Sequence, residues 1–161
     1  MHFALILQLL LLLLVANGTP VIAKILFGDF LGWPVDAGYK FIDGRALFGT
    51  SKTIRGLVLS ILLTSGFAAF TGIPWNVGAV IGATAMLGDL VSSFAKRRMN
   101  LEPSAKAIGL DQIPESLLPL LVSQPLLGTT IWDIVIITII FFGELVLSRV
   151  LFVLKIRDRP F

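Results

Sequence analysis

Apolar residues dominate the chain in long runs that polar residues interrupt at only a few places. A bilayer core of about 30 Å takes roughly 20 helical residues to cross. Five runs reach or approach that length, at residues 3–23, 54–71, 75–94, 113–127 and 131–154. We expect the first to bend or loosen around residues 17–20, and the fourth is short and contains Pro114, Glu115 and Pro119. The pattern predicts an all-α integral membrane bundle of about five helices.

Composition agrees with a membrane location. Of 161 residues, 56% are hydrophobic and 14% are charged, and the mean hydropathy is +0.93. This length holds one domain, residues 1–161, with no room for a separate soluble module. The chain has no cysteine, and its one histidine is His2 at the terminus, so disulfides and cysteine chemistry are excluded and imidazole catalysis is disfavoured. Since no Lys or Arg precedes the first apolar run, we expect a retained helix rather than a cleaved signal peptide.

The thirteen lysines and arginines predict how the helices are oriented. They fall in or beside the loops at residues 24–53 and 95–112 and near the C-terminus, while the N-terminus and the turns at 72–76 and 124–130 contain none. Loops rich in Lys and Arg stay in the cytoplasm. We therefore predict a multi-pass protein of the cell membrane, with the N-terminus outside and the C-terminus inside. Basic residues at helix ends indicate contact with membrane lipids rather than nucleic acid.

The first inner region, residues 28–56, combines glycines with basic residues. Gly44, Gly49 and Gly56 would let the backbone approach a phosphate, and Lys52 and Arg55 supply positive charge. The spacing is not that of a Walker motif. The alternative is a basic loop that only fixes topology. In the same region, Asp43 is either a turn residue or a group that orients Lys52.

The second inner region, residues 88–115, adds two acids. Asp89 lies in an apolar run, where an ionised carboxylate needs a partner, and Ser93 and Lys96 follow on the same helix face. Asp111 precedes the fourth helix, where it could be a simple N-cap. Two carboxylates at the borders of one loop also suit Mg²⁺ that bridges to substrate phosphates. Glu144 is a third acidic residue within an apolar run. We predict that its role is structural, and that it pairs with Arg149 or with a group on another helix.

Two stretches carry a family resemblance. DGRALFGTSKTIRG and GDLVSSFAKRRMNLEPSAKAIGLDQIP resemble the CDP-archaeol synthase family, small five-helix enzymes related to the phosphatidate cytidylyltransferases. KTIRG is similar to the KTxEG element of those enzymes, and GDLVSSFAKRR to their GDLxxSxxKR element. The resemblance implies CMP transfer from CTP to an isoprenoid ether-lipid phosphate, with Mg²⁺ and release of pyrophosphate, on the cytoplasmic side of the membrane.

The reaction that the resemblance implies assigns a role to each candidate residue. Asp89 and Asp111 would bind Mg²⁺, and together with Lys52 and Lys96 they are the candidate catalytic residues. The positions expected to bind CTP are Asp43, Gly49, Lys52, Thr53, Arg55, Gly56, Ser93, Lys96, Arg97 and Gln112. A lipid phosphate is already an anion at neutral pH, so the reaction needs positioning and charge neutralisation more than a base.

The chain departs from the patterns of these related enzymes in two places. Ile108 stands where the family usually has proline before Gly-Leu-Asp-Gln. The HGGxxDRxD ending of the larger bacterial enzymes is absent, which argues against a phosphatidate enzyme of that type. A cytidylyltransferase for a diacyl lipid remains the alternative within the enzyme class, and a transporter or scaffold the alternative outside it. Homodimerisation is left open. The small residues Gly78, Gly82, Ala83 and Ala85 would form either a helix contact or room for lipid chains.

Overall fold

The computed structural model describes residues 3–101 and 110–153, with backbone only at 142 and 144–153. Within these residues the chain forms five α-helices: α1 (Phe3–Phe27), α2 (Ile54–Phe70), α3 (Trp75–Arg98), α4 (Gln112–Leu127) and α5 (Ile131–Val153). The all-helical prediction is confirmed, including the short fourth helix. By length and composition, α1 and α3 are apolar enough to cross a membrane.

Consecutive helices pack against one another, and α3 also contacts α1. The main core lies where α1 meets the other helices, and its fully buried large side chains include Leu9, Leu12, Ile81, Leu120 and Ile137. Many other apolar side chains are exposed along the helices, such as Leu62 and Ile139. Such apolar outer surfaces are expected of helices that face lipid.

Small residues bring α2 and α3 close together. A Cβ added at Gly78 would lie 2.4 Å from the Ala68 Cβ, and one at Gly82 would lie 3.0 Å from the Ile61 Cα. Backbones can approach this closely only where side chains are absent. At Gly78 and Gly82, the alternative of a helix contact is therefore the correct one.

The ends of α1 and α3, and the course of α1 through residues 17–20, differ from the prediction in ways that matter for the site. Helix α1 continues unbroken through residues 17–20 and ends at Phe27, with Pro20 inside it. The Thr19 hydroxyl donates to the Val15 carbonyl at 2.6 Å, and Pro20 packs against Gly56 of α2, so the neighbouring helix supports this stretch. Helix α3 extends to Arg98, four residues beyond the predicted end, which places the three basic residues on its last turn.

The first inner region connects α1 to α2 through turns and two isolated antiparallel bridges, Pro34 with Thr53 and Lys40 with Ala46. The second inner region joins α3 to α4. Some predictions fall outside the described residues. They concern Lys106, Ile108 and Gly109, the side chain of Glu144, and the side chains of the C-terminal basic residues.

Candidate active site

An ion pair joins the first inner region to α3. The Lys52 Nζ lies 2.5 Å and 2.6 Å from the two carboxylate oxygens of Asp89, and the two side chains are only 18% and 15% exposed. Lys52 immediately precedes the N-cap of α2, while Asp89 lies just past the middle of α3. Because both charges are largely withdrawn from solvent, each depends on the other for neutralisation.

A second ion pair joins α3 to α4. The Lys96 Nζ lies 2.8 Å from an oxygen of Asp111, with side-chain exposures of 7% and 14%. Lys96 lies in the last turn of α3, and Asp111 directly precedes α4, whose first residue is Gln112. The Asp111 side chain makes no capping hydrogen bond to the helix, so the N-cap alternative is not its role. The four predicted catalytic residues thus form two half-buried pairs across three elements.

Glu115 adds a carboxyl group that the sequence analysis did not include. Its side chain is within hydrogen-bonding reach of Asp89, and its electrostatic surroundings include Lys52 and Asp111. Asp111 and Glu115 are four residues apart at the start of α4, a spacing that places two side chains on one helix face. That spacing is the signal from which Glu115 could have been predicted. Its position ties the two ion pairs into one charged cluster.

Ser93 is a buried polar group beside this cluster. It follows Asp89 by one turn of α3 and is 1% exposed. In the described part of the chain, its hydroxyl has no hydrogen-bond partner. Since a buried hydroxyl without a partner is unfavourable, Ser93 is suited to bind a polar ligand. Arg97 is also buried, at 6% exposure.

The backbone around Gly49 is organised by Asp36, which the sequence analysis also missed. The Asp36 carboxylate accepts from the backbone N–H groups of Gly38, Phe48 and Gly49 at 3.1, 3.0 and 2.9 Å. Burial by itself would raise the pKa of this carboxyl, but the three N–H donors outweigh it and hold the pKa below its ordinary value. The Gly49 N–H is therefore engaged by Asp36, while its φ of 91° needs a residue without a side chain.

Four other predicted nucleotide-binding residues have structural partners. Thr53 caps α2 by accepting from the Gly56 N–H at 3.2 Å. A Cβ at Gly56 would lie 3.2 Å from the Pro20 Cβ, so this glycine allows α1 and α2 to meet. Arg55 donates to the carbonyl oxygens of Phe30 and Gly28. Asp43 forms an ion pair with Arg98. Direct nucleotide binding by these four remains a prediction.

The donor set fits a hard divalent cation that is shared with a substrate. Asp89 and Asp111 offer carboxylate oxygens, and the unpartnered Ser93 hydroxyl lies on the same helix face as Asp89. Across residues 3–101 and 110–153, no three acidic or histidine side chains are grouped closely enough to hold a metal by themselves. Magnesium in nucleotide sites commonly takes one or two carboxylates and completes its shell with phosphates and water. The arrangement is therefore compatible with Mg²⁺ that arrives with a nucleotide.

Comparisons with known proteins assign the chain to a family. A family model described as CarS-like, CDP-archaeol synthase, matches residues 2–79 and 73–161. A CDP-archaeol synthase of Sulfurisphaera tokodaii is 37% identical over 156 residues, covering 91% of this chain and 89% of the relative. One of Methanopyrus kandleri is 44% identical over 94 residues, covering 55% and 53%.

A solved structure described as an intramembrane enzyme for archaeal membrane lipids biosynthesis has the same fold. It superposes with a TM-score of 0.76 at 30% identity and covers 89% of this chain and 91% of that one. The family model and the relative from Sulfurisphaera tokodaii both span nearly the whole chain. This chain belongs to the CDP-archaeol synthase family.

Proposed function

We propose that this chain transfers CMP from CTP to an isoprenoid ether-lipid phosphate, forming a CDP-lipid of the CDP-archaeol type and releasing pyrophosphate. Family membership supports the reaction class. The observation that carries the proposal is the pair of half-buried contacts, Lys52 with Asp89 and Lys96 with Asp111. They place two cationic and two anionic groups at one end of the bundle, where a triphosphate and a metal ion would both find partners.

In the transfer, an oxygen of the lipid phosphate attacks the α-phosphorus of CTP. A new phosphorus–oxygen bond forms, and the bond between the α-phosphorus and the β-phosphate oxygen breaks as pyrophosphate leaves. No proton has to be removed from an ionised lipid phosphate. The residues therefore act by orienting the two anions and neutralising their charge.

Each candidate residue has a defined part in this proposal. Lys52 and Lys96 would neutralise the triphosphate, and the Ser93 hydroxyl would donate to one of its oxygens. Asp89 and Asp111 would hold Mg²⁺, which when bound stabilises the negative charge of the leaving pyrophosphate. Glu115 would keep Asp89 in place.

The location of these groups suits two substrates that arrive from different phases. We propose that the protein is multi-pass in the cell membrane, with the N-terminus outside and both inner regions facing the cytoplasm. The lipid phosphate would then lie at the inner headgroup level, and CTP would enter from the cytosol. Homodimerisation stays a prediction. Family membership removes the support for a transporter or scaffold.

The test is incubation of detergent-purified protein with labelled CTP, Mg²⁺ and a panel of lipid phosphates. The panel contains an isoprenoid ether-lipid phosphate and a diacyl phosphatidate. We expect a CDP-lipid from the first, with a lower rate for the second. A preference for phosphatidate would establish the diacyl alternative, and no product from either would refute the transferase proposal.

Variants of the two acids test the site itself. Asp89→Asn and Asp111→Asn should each lower CMP transfer by at least about 100-fold, the scale for loss of a principal electrostatic stabiliser. Asp29→Asn removes an exposed acid of the first inner region and serves as the matched control. Near wild-type turnover by either variant would remove that residue from the metal site.

A further inference from the structure

Arg98, the last residue of α3, contacts three residues of the first inner region and one of its own helix. Its guanidinium forms an ion pair with Asp43 and donates to the Ala46 carbonyl oxygen at 2.6 Å. It also lies over two aromatic rings, 5.0 Å from the centroid of Phe41 and 4.8 Å from that of Phe94. The planar, five-donor guanidinium can form a fork of hydrogen bonds and stack on rings at the same time.

The segment that Arg98 holds is a small hairpin at residues 39–47. The Phe41 N–H donates to the Arg45 carbonyl at 2.8 Å, and the Leu47 N–H donates to the Tyr39 carbonyl at 3.3 Å. Gly44 turns the chain with a φ of 77°. Phe41 also packs edge-on against Phe94 of α3, with centroids 5.3 Å apart.

A side chain of the hairpin also donates hydrogen bonds to α3. The Arg45 side chain donates to the carbonyl oxygen of Arg98 at 2.5 Å and to that of Arg97 at 3.4 Å. Carbonyl groups at a helix C-terminus lack partners within the helix and carry partial negative charge, so a cation is favourable there. Arg45 of the hairpin thus contacts the end of α3, and Arg98 of α3 contacts the hairpin. We call Phe41, Asp43, Arg45, Phe94 and Arg98 the arginine clasp.

The clasp lies directly before the residues that reach the candidate active site. Five residues lie between Ala46, which accepts a hydrogen bond from Arg98, and Lys52, which pairs with Asp89. Between them, Asp36 holds the Phe48 and Gly49 N–H groups. With both of these anchors in place, the chain between them has little freedom, and the Lys52 backbone is fixed relative to α3.

We propose that Arg98 is a positioning residue for the nucleotide site, which acts through the hairpin to keep Lys52 opposite Asp89. This goes beyond the proposed function by separating Arg98 from its neighbour Arg97, which the sequence predicts to bind CTP. The guanidinium of Arg98 is already used by the Asp43 carboxylate and the Ala46 carbonyl. Its task is to hold the loop, and it does not contact the triphosphate.

A kinetic comparison separates this role from direct phosphate binding. If Arg98 acts through the hairpin, Arg98→Ala and Asp43→Ala should each raise KM for CTP by about tenfold. The double variant should have a KM no higher than that of either single variant, because the two residues act in one network. The KM for the lipid phosphate should change less. Arg98→Lys should behave like Arg98→Ala, because an ammonium cannot replace the fork and the stacking.

An exchange experiment tests the same proposal without CTP turnover. In purified protein without substrates, hydrogen–deuterium exchange of the peptide spanning residues 39–47 should be faster in Arg98→Ala, Arg98→Lys and Asp43→Ala than in wild type. Lys24→Ala removes one exposed positive charge at the end of α1 and is the matched control, with wild-type exchange and KM. Retained exchange protection in the core of α1 would show that the variants are folded.

Two results would overturn the proposal. The first is unchanged exchange at residues 39–47 in Arg98→Ala. The second is a raised KM for CTP in Arg98→Ala together with an unchanged or lowered KM in Asp43→Ala, the result for an arginine that binds phosphate directly. The kinetic arm rests on the proposed function and the exchange arm does not. If wild-type protein transferred no CMP, the proposed function would fail while exchange still decided whether Arg98 fixes the hairpin.

Discussion

Gly88 of α3 lies against the backbone of Pro114 at the start of α4. A Cβ added at Gly88 would come within 2.3 Å of the Pro114 carbonyl oxygen and 2.8 Å of the Glu115 nitrogen. Gly88 directly precedes Asp89, and Glu115 directly follows Pro114. The glycine therefore lets the two helices meet at the point where the Asp89 and Glu115 side chains interact.

Gly88→Ala should push α4 away from α3. The clashing atoms belong to the backbone, so they cannot move aside as a side chain would, and overpacking of this kind costs about 1–3 kcal/mol. We expect a lower thermal unfolding midpoint in detergent and a large loss of CMP transfer.

Gly66→Ala is the matched control for that substitution. Gly66 lies inside α2 with nothing within 4 Å of an added Cβ, so alanine there should be neutral or slightly stabilising. Equal effects of the two substitutions would show that the contact at Gly88 has no special role.

Lys52→Ala should weaken the use of CTP more than the use of the lipid phosphate. It removes the cation that we assign to the triphosphate and leaves Asp89 without the lysine that pairs with it. We expect KM for CTP to rise by about 10- to 100-fold, with a smaller change for the lipid. Steady-state kinetics with each substrate varied in turn measures both. An unchanged dependence on CTP would place Lys52 outside the nucleotide site.

Asp36→Ala should destabilise the first inner region, because it leaves three backbone N–H groups without their acceptor. Losing such charge-assisted bonds costs about 1–3 kcal/mol. The pKa of Asp36 is lower in the folded protein than its ordinary value of 3.8. Its contribution to stability is therefore complete above that value and declines as the pH falls towards the lower folded pKa.

The measurement is thermal unfolding of wild type and Asp36→Ala in detergent across acidic pH. The difference between the two should be constant near neutral pH and shrink below about 3.8. A difference that grew on acidification would contradict the assigned hydrogen bonds.

The absence of cysteine allows a direct test of the predicted orientation. Single cysteines at two exposed positions, Tyr39→Cys in the first inner region and Asn76→Cys in the first turn of α3, should lie on opposite sides of the membrane. In intact cells, a membrane-impermeant thiol reagent should label Asn76→Cys at once and Tyr39→Cys only after permeabilisation. The reverse pattern would invert the proposed topology.

The sequence predicted the residues of the candidate site but paired them incompletely. Asp89, Asp111, Lys52 and Lys96 could be found because charged groups in apolar surroundings stand out in any membrane sequence. The spacing of residues on α3 predicted that Lys96 could be the partner of Asp89. In the fold, Lys52 takes that place, because α2 packs beside α3 and brings its first residues to the same end of the bundle.

Some residues that organise the candidate site could not be recognised from local sequence. Asp36 resembles any loop aspartate, and its importance comes from the chain folding back so that Gly49 lies within reach. Arg98 is one of three consecutive basic residues, and only its contacts distinguish it from Arg97. Such contacts join positions 13 and 55 residues apart, and local propensity contains no information on pairings at that separation.

By itself, the sequence predicted the five helices and the class of the protein, and it predicted that the chemistry lies on the side of the bundle that carries the basic residues. Those features follow from the length of apolar runs and from the distribution of charge, which are properties of the chain in one dimension. Only the tertiary structure decided which lysine neutralises which aspartate and what Glu115 and Arg98 contact. It also decided that the position of Gly88 has no room for a side chain. These depend on how closely the helices approach, and packing in three dimensions sets that distance.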